Sequence, residues 1–103
     1  MKRYYTLDDT EELESLYIPR IFFEENSEYF NMSTITKLLY AILLDKSNGS
    51  YFNYRQTELC EKLGIKNTST LRKYLRELEE HNLLVRKRVG LNQPDDLLIK
   101  TIV

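Results

Sequence analysis

The chain has 103 residues, 42% hydrophobic and 30% charged, with a formal net charge of −1. That is the size and composition of one globular domain with a small core, a size at which a partner chain often adds buried surface. No apolar run reaches the roughly 18 residues of a membrane span. The N-terminus MKRYYTLDDTEELE lacks the apolar centre of a signal peptide, and Cys60 is the one cysteine, which excludes an internal disulfide. A cytoplasmic protein is expected. The charge is unevenly spread: residues 1–50 carry five Lys/Arg and nine Asp/Glu, residues 51–103 ten and seven. A basic second half can meet a polyanion even when the whole chain is slightly acidic.

Residues 1–16 are polar and acidic without periodicity, and RYYTL fits either a short strand or a lead-in. In YIPRIFFEENSEYFNM, Pro19 can open a short helix, with Ile21, Phe22, Phe23 and Phe30 as anchors on the core. STITKLLYAILLDKSNG carries the strongest helix signal. Ser33 or Thr34 can cap it, and Ile35, Leu38, Leu39, Ile42 and Leu43 recur at helical spacing. Ser47-Asn48-Gly49 stops it, and SYFNY reads as a brief strand. RQTELCEKLG reads as a short helix with Leu59, Cys60 and Leu63 inward and Gly64 at the left-handed position past its end. After GIKN a further helix is expected from about Thr68 to His81, with Leu71, Tyr74, Leu75 and Leu78 inward and Asn82 at its close. LLVRKRVG then reads as a strand, GLNQPDD as a turn and LLIKTIV as a closing strand. This order predicts an α+β fold, mainly α with a small β-hairpin: a winged helix-turn-helix over 17–103, preceded by an acidic segment 1–16.

The stretch KLGIKNTSTLRKYLR holds the functional signal. With the leucines of the second helix inward, Ser69, Arg72, Lys73 and Arg76 share the opposite face, with Glu80 further along. Arginine can pair bidentately with guanine, and serine or threonine can reach a base or a phosphate. Thr68, Ser69 and Thr70 stand at the helix start, where backbone N–H groups are free to hold a phosphate, and Lys66 and Asn67 lie in the turn before it. In the hairpin, Arg86, Lys87 and Arg88 enter the turn and Asn92 and Gln93 sit at its tip, where a wing meets the flanking DNA backbone or minor groove. Each feature alone also fits a solvated helix face or an edge strand guarded by charge; together, in this order, they point to double-stranded DNA. Tyr51, Tyr54 and Tyr74 fit core packing with the hydroxyl at the surface.

Nothing points to catalysis. Cys60 falls on the buried side of a helix, and His81 near a helix end fits a partner of the dipole. The acidic runs DDTEELE and EENSE lack the framing of a catalytic pair, and the chain has no Walker loop, no GxGxxG and no metal-ligand spacing. No cofactor and no metal are expected.

Taken together, YIPRIFF, MSTITKLLYAILLDKSN and ELEEHNLLVRKRVGLNQPD resemble the N-terminal domain of plasmid replication initiators of Gram-positive bacteria, the RepA N-terminal type. The resemblance spans Tyr17 to Val103. It implies a dimeric winged-helix domain that binds repeated sites at a plasmid origin, with Lys66–Arg76 and Arg86–Gln93 as DNA-contacting segments. Family members are longer and carry a further domain that recruits a host replication protein. This chain also lacks the insert common between the core helix and the following strand. Two other functions fit the same fold: a transcriptional repressor, and an adaptor that docks an acidic protein on the basic face.

Overall fold

A computed structural model describes residues 15–47, 49–91 and 93–102. The expected strand or lead-in at RYYTL lies outside the described residues. A 3-10 turn at Arg20–Phe23 follows Pro19. Three helices come next in the chain, α1 (Thr34–Lys46), α2 (Gln56–Leu63) and α3 (Thr68–Glu80), with a brief strand β1 (Phe52–Asn53) between α1 and α2. β2 (Leu84–Lys87) and β3 (Asp96–Ile99) close the domain as an antiparallel hairpin. β1 adds to the outer side of β3, so the sheet order is β1-β3-β2. This is the winged helix-turn-helix fold. β3 begins at Asp96, inside the stretch expected to turn, because Asp96 pairs with Lys87 across the hairpin and with Asn53 of β1.

The core lies where the three helices meet the sheet. Phe22, Leu39, Leu43, Leu59, Leu71, Leu75, Leu78 and Leu83 are fully buried in it. Burying a leucine side chain is worth about 1.5–3 kcal/mol, so the leucine stripe of α3 alone is a large part of what holds this domain together.

Two expectations about the core need correction. α1 was expected to bury Ile35, Leu38, Leu39, Ile42 and Leu43. Leu39 and Leu43 are buried, but Leu38 is 39% exposed and Thr36, Lys37, Tyr40 and Ala41 take the inward positions. The reason is tertiary. The Tyr40 hydroxyl donates to the Lys100 carbonyl at 3.0 Å, and its ring meets Phe22 edge-on with centroids 5.2 Å apart. The Lys37 ammonium donates to the Phe30 carbonyl at 2.9 Å and lies 5.2 Å from the Phe23 ring centroid and 5.3 Å from that of Phe30. That placement also explains the second correction. Phe23 and Phe30 remain exposed as lids over the lysine, while Phe22, Tyr29 and Met32 are the buried anchors.

Glu77 ties the first and third helices together. Ser33 caps α1, its hydroxyl accepting from the Thr36 N–H at 3.1 Å. The Ser33 N–H in turn donates to the Glu77 carboxylate of α3 at 2.9 Å, across 44 residues of sequence. In a local capping box the glutamate would come from the same helix; here α3 supplies it. Burial works to raise the Glu77 carboxyl, but hydrogen bonds from Thr36 and from the Ser33 amide and hydroxyl, aided by His81, hold it below its ordinary value of 4.5.

A charge-assisted hydrogen bond of this kind contributes about 1.5–3 kcal/mol, so Glu77→Ala is expected to lower the unfolding free energy by about that much near pH 7. The folded-state carboxyl titrates below the unfolded one. The contribution is therefore complete above 4.5 and is lost as pH falls through the lowered folded value. Urea unfolding of both proteins at about pH 7 and about pH 3 should show the difference shrinking in acid; a gap that persists would mean Glu77 acts through packing alone.

Candidate nucleic-acid interface

The turn between α2 and α3 is set by local chemistry. α2 ends at Gly64, whose φ of 69° and ψ of 28° lie in the left-handed region. The Ile65 N–H reaches back to the Cys60 carbonyl at 2.9 Å, and the Gly64 N–H to that of Glu61 at 3.4 Å. This pair of bonds is the Schellman closure of a helix end, and it turns Ile65 onto the core. Asn67 then caps α3: its Oδ1 accepts from the Thr70 N–H at 2.9 Å and from the Thr70 hydroxyl at 3.0 Å.

α3 is strongly two-sided. Leu71, Leu75 and Leu78 are buried, with Tyr74 half-buried beside them, while Ser69, Arg72, Lys73 and Arg76 are exposed on the other side. The Arg72 guanidinium donates from Nη2 to the Ser69 hydroxyl at 3.2 Å. That contact points the arginine along the first turn of the helix. Lys66 is exposed in the preceding turn, and Thr68 is half-buried at the first helical position. Asn67 and Thr70, both among the expected contact residues, hold each other.

The carboxylates of α3 are largely spent within the protein. Glu77 caps α1. Glu79 receives both Nε and Nη2 of Arg86 on its Oε1, each at 2.7 Å. Arg86, expected among the DNA contacts of the wing, is thus paired and only partly exposed. Its partner strand position is Leu97, so the ion pair joins α3 to the centre of the hairpin. With Glu77 and Glu79 so engaged, the exposed charges along the first three turns of α3 are cationic.

Lys87 at the end of β2 is exposed, as are Arg88 and Gln93 beyond it; Asn92 lies outside the described residues. The base of the wing is braced by Asn53, whose side-chain amide donates to the Asp96 carboxylate at 2.7 Å and the Asp95 carbonyl at 3.3 Å. A cleft separates the returning arm, Gln93, Pro94 and Asp95, from the start of α2 at Arg55, Gln56 and Thr57. The sequence reading did not single out Arg55 or Thr57. Their signal was positional: they open the first helix of the pair, which in this motif crosses the DNA backbone. Tyr54 is buried, with the Lys46 ammonium 4.4 Å and that of Lys62 5.9 Å from its ring centroid. Its face is therefore occupied, while Tyr51 is exposed.

Among the described residues no three His, Cys, Asp or Glu side chains group as a metal site, and no helix is long and apolar enough to cross a membrane. Cys60 is buried in the core. His81 donates from Nδ1 to the Glu77 carbonyl at 2.9 Å, closing the end of α3.

A family model described as a helix-turn-helix domain matches residues 31–84, from just before α1 to the start of β2. No curated protein sequence matches the chain. Among solved structures, one described as the N-terminal domain of a DNA-binding protein is 32% identical, with a TM-score of 0.70 over 100% of this chain and 86% of its own. Another, described as the structure of a Rep-DNA complex, is 32% identical, with a TM-score of 0.73 over 98% of this chain and 85% of its own. A third, described as the structure of an MDR initiator, is 26% identical, with a TM-score of 0.67 over 98% and 89% of the two chains.

Because Asn67 caps α3 through its side chain, Asn67→Ala should cost about 1 kcal/mol of stability and fray the first turn that carries Ser69 and Arg72. Hydrogen exchange at the Thr70 amide, which donates to that side chain, reports it directly. Unchanged protection there would remove the cap from the account of this helix.

Proposed function

The chain belongs to the helix-turn-helix domain family, and we propose that it is a sequence-specific double-stranded DNA-binding domain acting at a plasmid or mobile-element replication origin. The observation that carries this reading is the sorting of charge on α3: Glu77 and Glu79 turn into the protein and Ser69, Arg72, Lys73 and Arg76 turn out. A helix with that face fits the major groove with its first turns against base edges. The likeness to an initiator and to a Rep protein described with DNA supports the origin as the target.

The residues divide by role. Arg72, steadied by Ser69, reads a base edge, with guanine as the expected partner. Arg76 and Lys73 extend the contact along the groove. Lys66 and the N–H groups at Thr68 hold a phosphate at the start of α3. Lys87, Arg88, Asn92 and Gln93 of the wing and Arg55 with Thr57 of α2 meet the flanking backbone. Asn67, Thr70 and Arg86 act from behind, by holding the helix start and the wing. The protein is a binding module without catalytic machinery, works in the cytoplasm, and binds as a homodimer on repeated sites.

The test is selection of bound duplexes from a random library, followed by footprinting and titration of the winning site across salt. Repeated sites within an initiation region fit the proposal, whereas a lone palindrome at a promoter would make the protein a repressor. Absence of binding at about 50 mM salt, where phosphate contacts are strongest, would replace DNA with an acidic protein partner.

At the level of residues, Arg72→Ala should cost about 1–3 kcal/mol and relax the choice of base at one position, while Lys87→Ala should weaken every duplex alike and reduce the salt slope by about one. Equal small effects of both on every sequence would sink this assignment.

A further inference from the structure

The wing presents an apolar tip in basic surroundings. Val89 is 52% exposed and Leu91 is 77% exposed, separated by Gly90. Lys87 and Arg88, also exposed, immediately precede them. The hairpin ladder ends at the Lys87–Asp96 pair, and the described residues 88–91 and 93–95 lie beyond it as the tip. Below it the loop is fastened by the Asn53 bonds to Asp95 and Asp96 and by Leu97, which is buried in the core. The Gln93 N–H closes a turn on the Gly90 carbonyl at 3.4 Å. The polar returning arm faces α2 across the cleft, whereas Val89 and Leu91 stand out in solvent. Scattered single apolar residues on a surface need no explanation. Two at the end of one braced, cationic projection are a different arrangement.

Resting on the proposed DNA binding, we propose that Val89 and Leu91 form an apolar wedge that enters the minor groove beside the site read by α3. The dimensions suit it. The arm of residues 88–90 before the Gly90–Gln93 turn spans at most about 10 Å when extended, and the minor groove is about 7.5 Å deep and about 6 Å wide. Lys87 and Arg88 at the base of the wedge meet the phosphates that border the groove, which is why the partner is nucleic acid rather than an apolar protein pocket. An aliphatic side chain carries no hydrogen-bond code. It favours a groove floor free of the guanine amino group and steps that unstack readily, so its preference is for A·T pairs and TA steps in the flank. Side chains of this type kink the duplex when they enter between base steps.

The test uses the full chain and a selected duplex carrying 2-aminopurine at the flanking step and a fluorophore pair across the site. Wild type should brighten the 2-aminopurine, bend the duplex and prefer A·T flanks. Leu91→Ser should lose all of these and bind the preferred duplex about tenfold more weakly, with an unchanged salt slope, because no charge is removed. Leu91→Met should retain the signal. Arg88→Ala should reduce the salt slope yet still unstack the step. Both substituted side chains lie outside the core, so folding is not at stake. Tight binding by wild type without unstacking, or a Leu91→Ser protein that keeps the flank preference, overturns the wedge and leaves the proposed function standing. Failure of wild type to bind any duplex overturns both.

Discussion

The contact on which this architecture turns is the Glu77 carboxylate at the start of α1. A helix leaves its first N–H groups without partners. Here one of them, on Ser33, is satisfied by a side chain 44 residues later. The bond therefore does more than cap α1. It is made in the same rotation of α3 that buries Leu71, Leu75 and Leu78 in the core. At 100° per residue, that rotation leaves Ser69, Arg72, Lys73 and Arg76 no choice but to face outward. The Glu79–Arg86 pair two residues further on fixes the wing to the same helix. Scaffold, recognition helix and wing are thus held in one frame through adjacent carboxylates of a single element.

The same contacts resolve the apparent conflict between a net charge of −1 and a basic binding face. A duplex does not meet the sum of charges; it meets those within about a Debye length of its phosphates, roughly 8–10 Å at ordinary salt. Glu77 and Glu79 are engaged by an amide and a guanidinium, so their fields are partly cancelled where they stand. Glu80 remains exposed, but at the far end of α3 from Ser69 and Arg72. An isolated helix with the sequence TSTLRKYLRELEE would be nearly neutral. Folding turns it into one with a cationic front and a carboxylate back.

Much of this was legible in the sequence, and the rest was not for reasons that can be named. The helix-turn-helix was readable because its signals are local: Gly64 where φ must be positive, and leucines at helical spacing in α3; the Asn67 cap was not among them. The facing of α1 was read only in part, since Leu39 and Leu43 are buried but Leu38 is exposed, although the helix itself was plain. Its inward positions include Lys37 and Tyr40, whose burial depends on the Phe30 and Lys100 carbonyls. No pattern of apolar residues carries that information. Arg86 looked like any other basic residue of the wing until α3 placed Glu79 beside it. Arg55 went unnoticed because a single arginine before a short helix has no signature; only the cleft facing Gln93 and Pro94 marks it.

On the proposed reading, the charge pattern also bears on how many copies act together. The exposed cations suited to phosphates, among them Lys66, Lys73, Arg55, Lys87 and Arg88, are few. Affinity for duplex falls with salt at a slope of about 0.9 per phosphate neutralised, so about five contacts leave a single domain weakly bound at ordinary ionic strength. The acidic remainder of the chain adds repulsion rather than help. A module of this kind gains occupancy chiefly by repetition. When a second domain is linked to the first through a dimer, its binding becomes intramolecular, and avidity rises by factors of about 10²–10⁴ without any new contact. Spacing between sites then matters as much as the sites themselves. A weakly charged, sharply oriented reading helix is therefore suited to an array of repeats, where isolated chance sites elsewhere stay empty.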